Sequence, residues 1–569
     1  MRGDRQSAEA GSVRSGARGT CGLNRCGSRG RDRCRGRRGG PIADRRDGPR
    51  RRVRSPNGPR DRLPVSRADP VRRSALEPYA GGRARPQHRT RRVHPWRRRL
   101  PYRGYLCGRD RSRATDQPRG VRPCLRDPAS AAERPVPHRI LHVNVRYWPV
   151  ASGAEIHLQA YAERQAAEGF DVTVFTTDAR DLAYLWDPRK ARISRASEVH
   201  NGVRIERFPI RHLPPPGVGF RAARRLLAEI DRVPGTRGLL ARLCLAAPYV
   251  PGLRSALHES AGRFDAVHGM NIALEALLFP AREHARNAGA PFLISPLTHL
   301  GESARGPIRR YYTMQHQVGL VGSADGVLIQ TPTEARFYAD RGLDESRFWT
   351  GGAGVDPDAV IGGDADAFRA RHGLSGPLVG FLGTLAFDKG ADHTVQAMEL
   401  HWARGGAARL VMAGAMTDPF AMFLRGRPET VRQRIVVLPS ASDDEKRGLL
   451  AAVDVLALPS RTDSFGIVFL EAWLNGKAVV AADAGGVSDV VEHERSGLVV
   501  PFGDVDAIER AIARLLSDPD LRVRMAQHGT RRVRERHTWD RVYERVRPAF
   551  MRSGHELLAI ARREARADH

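Results

Sequence analysis

The feature that most limits what this chain can fold into begins abruptly at His138. In "HRILHVNVRYWPVASGAEIHLQAYAERQAAEGFDVTVFTT" a short apolar run, Arg139 to Asn144, is followed by a glycine-containing loop. A helix from about Glu155 to Ala167 and a second apolar run, "DVTVFTT", come next. Two apolar runs joined through one helix favour a parallel sheet covered by helices. Similar units recur. "FDAVHG" reads as a strand before a helix near Ala273–Asn287, and "PFLIS" and "GVLIQ" read as further strands. "WTGGAGVDPDAV" is rich in glycine and turn formers and marks a boundary near Gly354.

A second series starts at "PLVGFLG". It runs through a helix at Ala391–Trp402, strands "RLVMAG" and "IVVLPS", a helix at Asp444–Val453 and strand "DVLALP". Strands "AVVAAD" and "GLVVP" and a helix at Asp504–Leu516 follow. In that last helix Ile508, Ile512 and Leu515 fall on one face. The fold class is therefore α/β, two doubly wound Rossmann-like domains facing a cleft. Ligands of such sheets bind outside the carboxyl ends of the strands.

Charge divides the chain differently. Residues 1–135 hold 38 arginines and 12 acids, a net +26, whereas the whole chain carries +31. The remaining 434 residues are thus close to neutral, at +5. Stretches such as "RDRCRGRRGG" show no sustained period of 2 or 3.6 and cannot bury enough apolar surface to offset their ordering entropy. The expectation is a disordered extension. It reads first as inert, with a nucleic-acid or anionic-membrane arm as the alternative. The abrupt onset of patterning also fits a start assigned too far upstream, since the next methionine is Met270. Five of the six cysteines lie in this extension, and Cys21 and Cys26 lack a second pair at zinc-site spacing. One cysteine, Cys244, in the rest fits a reducing compartment. No run reaches the eighteen or so apolar residues of a membrane span, and "MRGDRQSAEAGSVRSG" has no apolar signal core. A cytoplasmic protein is expected, with contact at the inner face of the cell membrane left open.

Between "DVLALPS" and "AVVAAD" stands "DSFGIVFLEAW", with carboxylates Asp463 and Glu471. The turn "RTDS" lies at the end of a buried strand, and a helix is expected from Phe465 or Gly466. Its first-turn N–H groups and dipole suit a phosphate, and Gly466 lets a ligand approach the backbone. Both carboxylates then face the cleft mouth. The plainer reading has Asp463 capping the helix and Glu471 in solvent. "GFLGTLAFDKGAD" repeats the logic, ending a strand at Gly383 and placing Lys389-Gly390 before a helix, where a lysine can neutralise a diphosphate. "ADAGGVSDVV" puts Gly485-Gly486 after a third strand.

These residues resemble the retaining glycosyltransferases of family 4, which have the two-domain GT-B fold. The family pattern Glu-x7-Glu, with Phe-Gly after the first acid, is matched by Asp463-Ser464-Phe465-Gly466 and Glu471-Ala472. "AVVAADAGG", "HERSGLVVPFGD" and the ending "HTWDRVYERV" match further family motifs. The resemblance implies an N-terminal acceptor domain at 136–354, a donor domain at 355–540 and a closing helix at 541–569 that returns to the first domain. It implies that Glu471 holds the ribose and that Asp463 contacts the donor sugar. Phe465, Gly466 and Ile467 would offer backbone amides. Lys389, with Gly383 and Thr384 in its loop, would hold the diphosphate. Gly153 matches the glycine loop near the diphosphate, and His299, in "SPLTHLG", a histidine near the reacting sugar. The plainer reading of His299 is a structural loop histidine.

The implied activity is retaining transfer of a hexosyl group from a nucleotide-diphosphate sugar to a hydroxyl of a glycan, lipid-linked glycan or small molecule. No cofactor beyond that co-substrate and no essential metal is implied. Two departures stand out: Thr384 replaces the family's usual arginine, and Asp463 is one methylene shorter than glutamate. They keep open a degenerate sugar-nucleotide-binding protein. A nucleic-acid-binding protein using the basic extension is the reading from another class, and a sugar-nucleotide epimerase would share the architecture. "GFRAARRLLAEIDRV" places Phe220, Leu227 and Ile230 on one side with Arg221, Arg224 and Arg225 largely elsewhere. That pattern fits a helix packed on its own domain, or one lying on an anionic membrane.

Overall fold

The computed structural model describes residues 138–302, 306 and 308–551. The expectations for residues 1–135, and the part of the closing helix beyond 551, lie outside the described residues. Strands β1 (Arg139–Val143), β2 (Asp171–Thr177), β3 (Ser197–His200), β4 (Val203–Phe208), β5 (Ala266–Met270), β6 (Phe292–Ser295), β7 (Gly326–Ile329) and β8 (Phe348–Thr350) form the first sheet. Its order is β3-β4-β2-β1-β5-β6-β7-β8, parallel except for the β3–β4 hairpin. The second sheet, all parallel, contains β9 (Leu378–Leu382), β10 (Arg409–Ala413), β11 (Ile435–Leu438), β12 (Val455–Leu458), β13 (Ala478–Ala482) and β14 (Gly497–Val500). Its order is β11-β10-β9-β12-β13-β14. The central strands are buried on both faces, as continuous apolar runs require.

One local reading changes. The helix expected from Ala273 begins only at Leu278 and runs to Ala288. Asn271 sits at φ +75° and starts a single tight turn, Ile272–Leu274, that interrupts the path. The β3–β4 hairpin turns at Asn201-Gly202, both at positive φ, which suits an Asn-Gly turn.

Two chain segments cross between the sheets side by side. Val355 N–H donates to His537 O at 2.9 Å, and Trp539 N–H to Val355 O at 3.3 Å. Glycine is required here by space: a Cβ on Gly351 would lie 2.6 Å from Val546, and one on Gly354 2.8 Å from Trp539. The helix Trp539–Met551 then packs on the first sheet and on helix α1 (Gly153–Ala167). Trp539, Tyr543 and Phe550 are buried there. Arg164–Asp540 and Arg547–Glu168, both at 2.8 Å, lie at its edge. Burying each aromatic is worth roughly 2–3 kcal/mol and each exposed pair at most about 1 kcal/mol, so apolar packing dominates this docking. Among the described residues no helix is long and apolar enough to cross a membrane.

Under that helix lies a chain of fully buried histidines. His142 and His268 face each other through their Nδ1 atoms at 2.9 Å. His142 Nε2 meets Gln165 Oε1 at 2.6 Å and His268 Nε2 meets Ser295 Oγ at 2.9 Å. His157 stands 5.0 Å from the ring of Trp539. Burial pushes His142 down to about 4, His157 to about 3, and His268 well below its ordinary value. These groups stay neutral when folded but charge below about pH 6.5 when unfolded. The unfolded chain therefore binds more protons across this window. Stability is full above pH 6.5 and falls towards pH 4. Thermal unfolding between pH 7.5 and 4.5 should show the midpoint dropping over that interval; a flat profile would contradict the assignment.

Candidate functional site

The loops at the carboxyl ends of β9, β12 and β13 converge. After β9 the chain turns at Gly390, φ +77°, where a Cβ would come within 2.2 Å of Pro459 O. Only glycine lets this turn press against the end of β12, and the approach carries Lys389 to the segment 459–466. Lys389 Nζ donates to Asp463 Oδ1 at 2.8 Å. Burial alone would raise the Asp463 carboxyl; the charge and hydrogen bond of Lys389 outweigh it and hold it below its usual value.

Asp463 does not cap the following helix. That helix, Ile467–Leu474, starts after Gly466 at φ +83°, with no side-chain cap. A Cβ on Gly466 would meet the Phe469 ring at 2.5 Å. The first-turn N–H groups of Ile467 and its neighbours are thus left at the same loop as the lysine. Phe465 turns its ring inward, 5.3 Å from His537, so its side chain belongs to the core. Glu471, expected in solvent on the plainer reading, is buried and accepts from Lys446 Nζ at 2.6 Å. Lys446 was not singled out in the sequence. Its helix, Asp443–Ala452, announces itself by the capping box Ser442–Glu445, which fixes the first turn where Lys446 sits.

From the first sheet, the loop after β6 brings His299 to this pair. Its ring stacks on Tyr312 at 4.5 Å. Burial first, and then the charge of Lys389, push it down to about 4 against the opposing pull of Asp463 and the Thr462 backbone. It is therefore neutral at pH 7. In the same loop Gly301 O accepts from Gly485 N–H at 2.8 Å, and Glu302 Oε1 accepts from Arg461 Nη1 at 3.0 Å. Arg461 also bonds Asp388 Oδ1 through Nε at 2.9 Å and Nη2 at 2.8 Å. Arg461 was likewise unremarked in the sequence.

The structure thus gathers His299, Lys389, Asp463, Gly466 and Ile467, with Glu471 one helical turn further on. Gly383 ends β9 by donating to Ala413 O at 2.9 Å, and Thr384 beside it is exposed. Gly153 is exposed at the start of α1, where a Cβ would meet nothing within 4 Å; no close approach in this structure demands glycine there. Among the described residues one group, Cys244, Glu275 and His316, has donor atoms close enough to share a metal. It is buried in the first lobe, and Arg224 Nη1 already occupies Glu275 Oε1 at 2.6 Å. The expectation that Arg224 lies away from the packed side is corrected by that bond: a buried carboxylate draws it inward.

Comparison with known proteins decides the family. Residues 364–532 match the model of glycosyl transferases group 1, and residues 152–348 that of the glycosyl transferase 4-like domain. A mannosyltransferase of Mycobacterium tuberculosis, GDP-mannose-dependent alpha-(1-6)-phosphatidylinositol monomannoside mannosyltransferase, is 30% identical over 60% of this chain and 81% of its own. The chain belongs to the group 1 glycosyltransferases. As a member it is a glycosyltransferase acting on nucleotide sugars. The D-inositol 3-phosphate glycosyltransferase of Acidothermus cellulolyticus is 28% identical over 74% of this chain and 91% of its own. The GT-B fold is shared with sucrose-phosphate synthase of Thermosynechococcus elongatus: TM-score 0.54, 19% identity, 74% of this chain and 99% of that one. Anabaena HepE in complex with UDP-glucose has TM-score 0.53, with 16% identity over 73% of this chain and 99% of its own.

The Lys446–Glu471 pair generates a test on this glycosyltransferase. Lys446→Met leaves a buried carboxylate unpaired and should cost about 1–3 kcal/mol in chemical unfolding. Adding Glu471→Gln should recover part of that loss. Equal stability of single variant and wild type would show that the pair contributes nothing.

Proposed function

We propose that this glycosyltransferase transfers a sugar with retention of anomeric configuration from a nucleotide-diphosphate sugar to an acceptor hydroxyl. The observation that carries the reading is the Lys389–Asp463 pair, 2.8 Å apart at the start of the helix Ile467–Leu474 and faced by a neutral His299. In the reaction the bond from the anomeric carbon to the diphosphate oxygen breaks, and its electron pair leaves with the diphosphate. The acceptor oxygen bonds the same carbon from the leaving-group face and passes its proton to the departing diphosphate. Lys389 and the free N–H groups of the helix stabilise the negative charge that develops. Asp463 holds sugar hydroxyls and Glu471 the ribose. This charge arrangement supports catalysis with no cofactor and no essential metal.

The acceptor is a hydroxyl of a glycan, a lipid-linked glycan or a small molecule. A membrane-borne acceptor is favoured by one surface. Helices α2 (Gly219–Ile230) and α3 (Arg237–Leu243) share a small core through Leu227 and Leu240, with Tyr311 and Met314. Tyr312, next in the chain, stacks on His299. Their outer sides expose Val218, Leu226, Val233, Leu239 and Leu243 among exposed Arg221, Arg225, Arg237 and Arg242. Phe220 is half-buried near Trp186, so Leu226 is the better probe than Phe220. Aliphatic side chains among arginines suit an anionic bilayer surface, and the mycobacterial relative is named for a phosphatidylinositol glycoside.

Donor hydrolysis tests the first reading. The full chain should slowly hydrolyse one of UDP-, GDP- or ADP-sugars, unaffected by EDTA, with Glu471→Ala and Lys389→Ala each at least about tenfold slower. No hydrolysis or binding of any donor would sink it. For the membrane, hydrogen exchange of the full chain with phosphatidylglycerol-containing vesicles should protect amides within 218–249, less so in Leu226→Glu. Protection confined to residues 1–137 would rule that surface out.

A further inference from the structure

Three buried polar atoms of the loops that meet at the junction of the two lobes have no hydrogen-bond partner among the described residues. They are His299 Nδ1 and Glu302 Oε2, from the loop after β6, and Asp463 Oδ2, from the loop after β12. A carboxylate oxygen can only accept. Two such acceptors, one from each lobe, therefore ask for the same chemistry: a hydrogen-bond donor.

Glu302 is not a loosely held surface acid. Its Oε1 accepts from Arg461 Nη1 at 3.0 Å, and Arg461 is itself held by Asp388 Oδ1 through two bonds. The guanidinium stands 5.3 Å from the Phe387 ring and 4.8 Å from the Phe502 ring. Gly301, the preceding residue, is tied to Gly485 across the same junction. One oxygen of Glu302 is thus spent on orientation and the other is left free, three residues from His299. Asp463 is built the same way, with Oδ1 on Lys389 and Oδ2 free.

We infer that Glu302 binds a hydroxyl of the transferred sugar from the side of the cleft opposite Asp463, with Arg461 as its positioning residue. A carboxylate repels the diphosphate, so its ligand is the hydroxylated end of the donor and not the nucleotide end. The inference rests on the donor-site reading above. It predicts that sugar affinity and nucleotide affinity separate on substitution.

The experiment is calorimetry of the full chain with three matched pairs of probes, UDP and UDP-glucose, GDP and GDP-mannose, ADP and ADP-glucose. The pair that wild type binds is then used on Glu302→Ala, Glu302→Gln and Arg461→Lys. Glu302→Ala should weaken the nucleotide sugar about tenfold or more while the free nucleotide stays within about twofold. Glu302→Gln, which keeps an acceptor oxygen, should retain part of the affinity. Arg461→Lys, which loses the two-pronged geometry, should weaken the sugar nucleotide alone. Equal losses for nucleotide and nucleotide sugar would make Glu302 a structural bridge between the lobes and overturn the inference, as would no loss at all. If wild type binds none of the three pairs, the donor-site reading itself fails, before any substitution is made.

Discussion

A lysine and an aspartate 2.8 Å apart set the character of the cleft. Lys389 comes from the loop after β9 and Asp463 from the loop after β12, neighbouring strands of the second sheet. Their contact depends on Gly390, since any side chain there would strike Pro459 O. Without that glycine the two loops separate, and Lys389 no longer offsets the cost of burying Asp463. The positive charge near the helix N-terminus and the ionised carboxylate follow from this one approach, and the lysine adds to the burial that keeps His299 neutral.

The same economy governs the other carboxylates. Glu471 faces Lys446, and Glu302 faces Arg461, so each acid near the cleft meets one cation from a neighbouring segment. Pairing of this kind holds an acid in place while leaving it lone pairs for a ligand, which a helix cap or a solvated side chain would not do. Thr384 breaks the pattern expected of a group 1 glycosyltransferase by offering no charge. Arg461 is the cation that the fold places between the loops, although it is bound to two carboxylates in this structure.

Much of this was legible in the chain itself. The apolar runs at 139–143, 171–177 and 378–382, with the glycine-punctuated loops after them, specify parallel strands because a fully buried strand must be apolar on both faces. The spacing of Asp463, Gly466 and Glu471 identifies the helix start and the two acids. Local chemistry also misled. The Ala273–Asn287 stretch has helical periodicity, yet Asn271 at positive φ delays the helix to Leu278. Arg224 reads as a surface cation, yet a buried glutamate far along the chain claims it.

What the sequence determined alone is the order of strands and helices, the position of the strand-end loops and the residue types they offer. These depend on periodicity and turn chemistry, which act over a few residues. Tertiary structure decided which charges meet: Lys446 with Glu471, Arg461 with Glu302, and His299 with the Lys389–Asp463 pair. Those partners sit on different helices, different strand-end loops or different lobes, so their pairing is set by how the sheets and the glycine turns bring those segments together. Burial then keeps His299 neutral, while Lys389 holds Asp463 ionised against the effect of burial. Both states are properties of the buried junction between lobes, which no local stretch of the chain encodes.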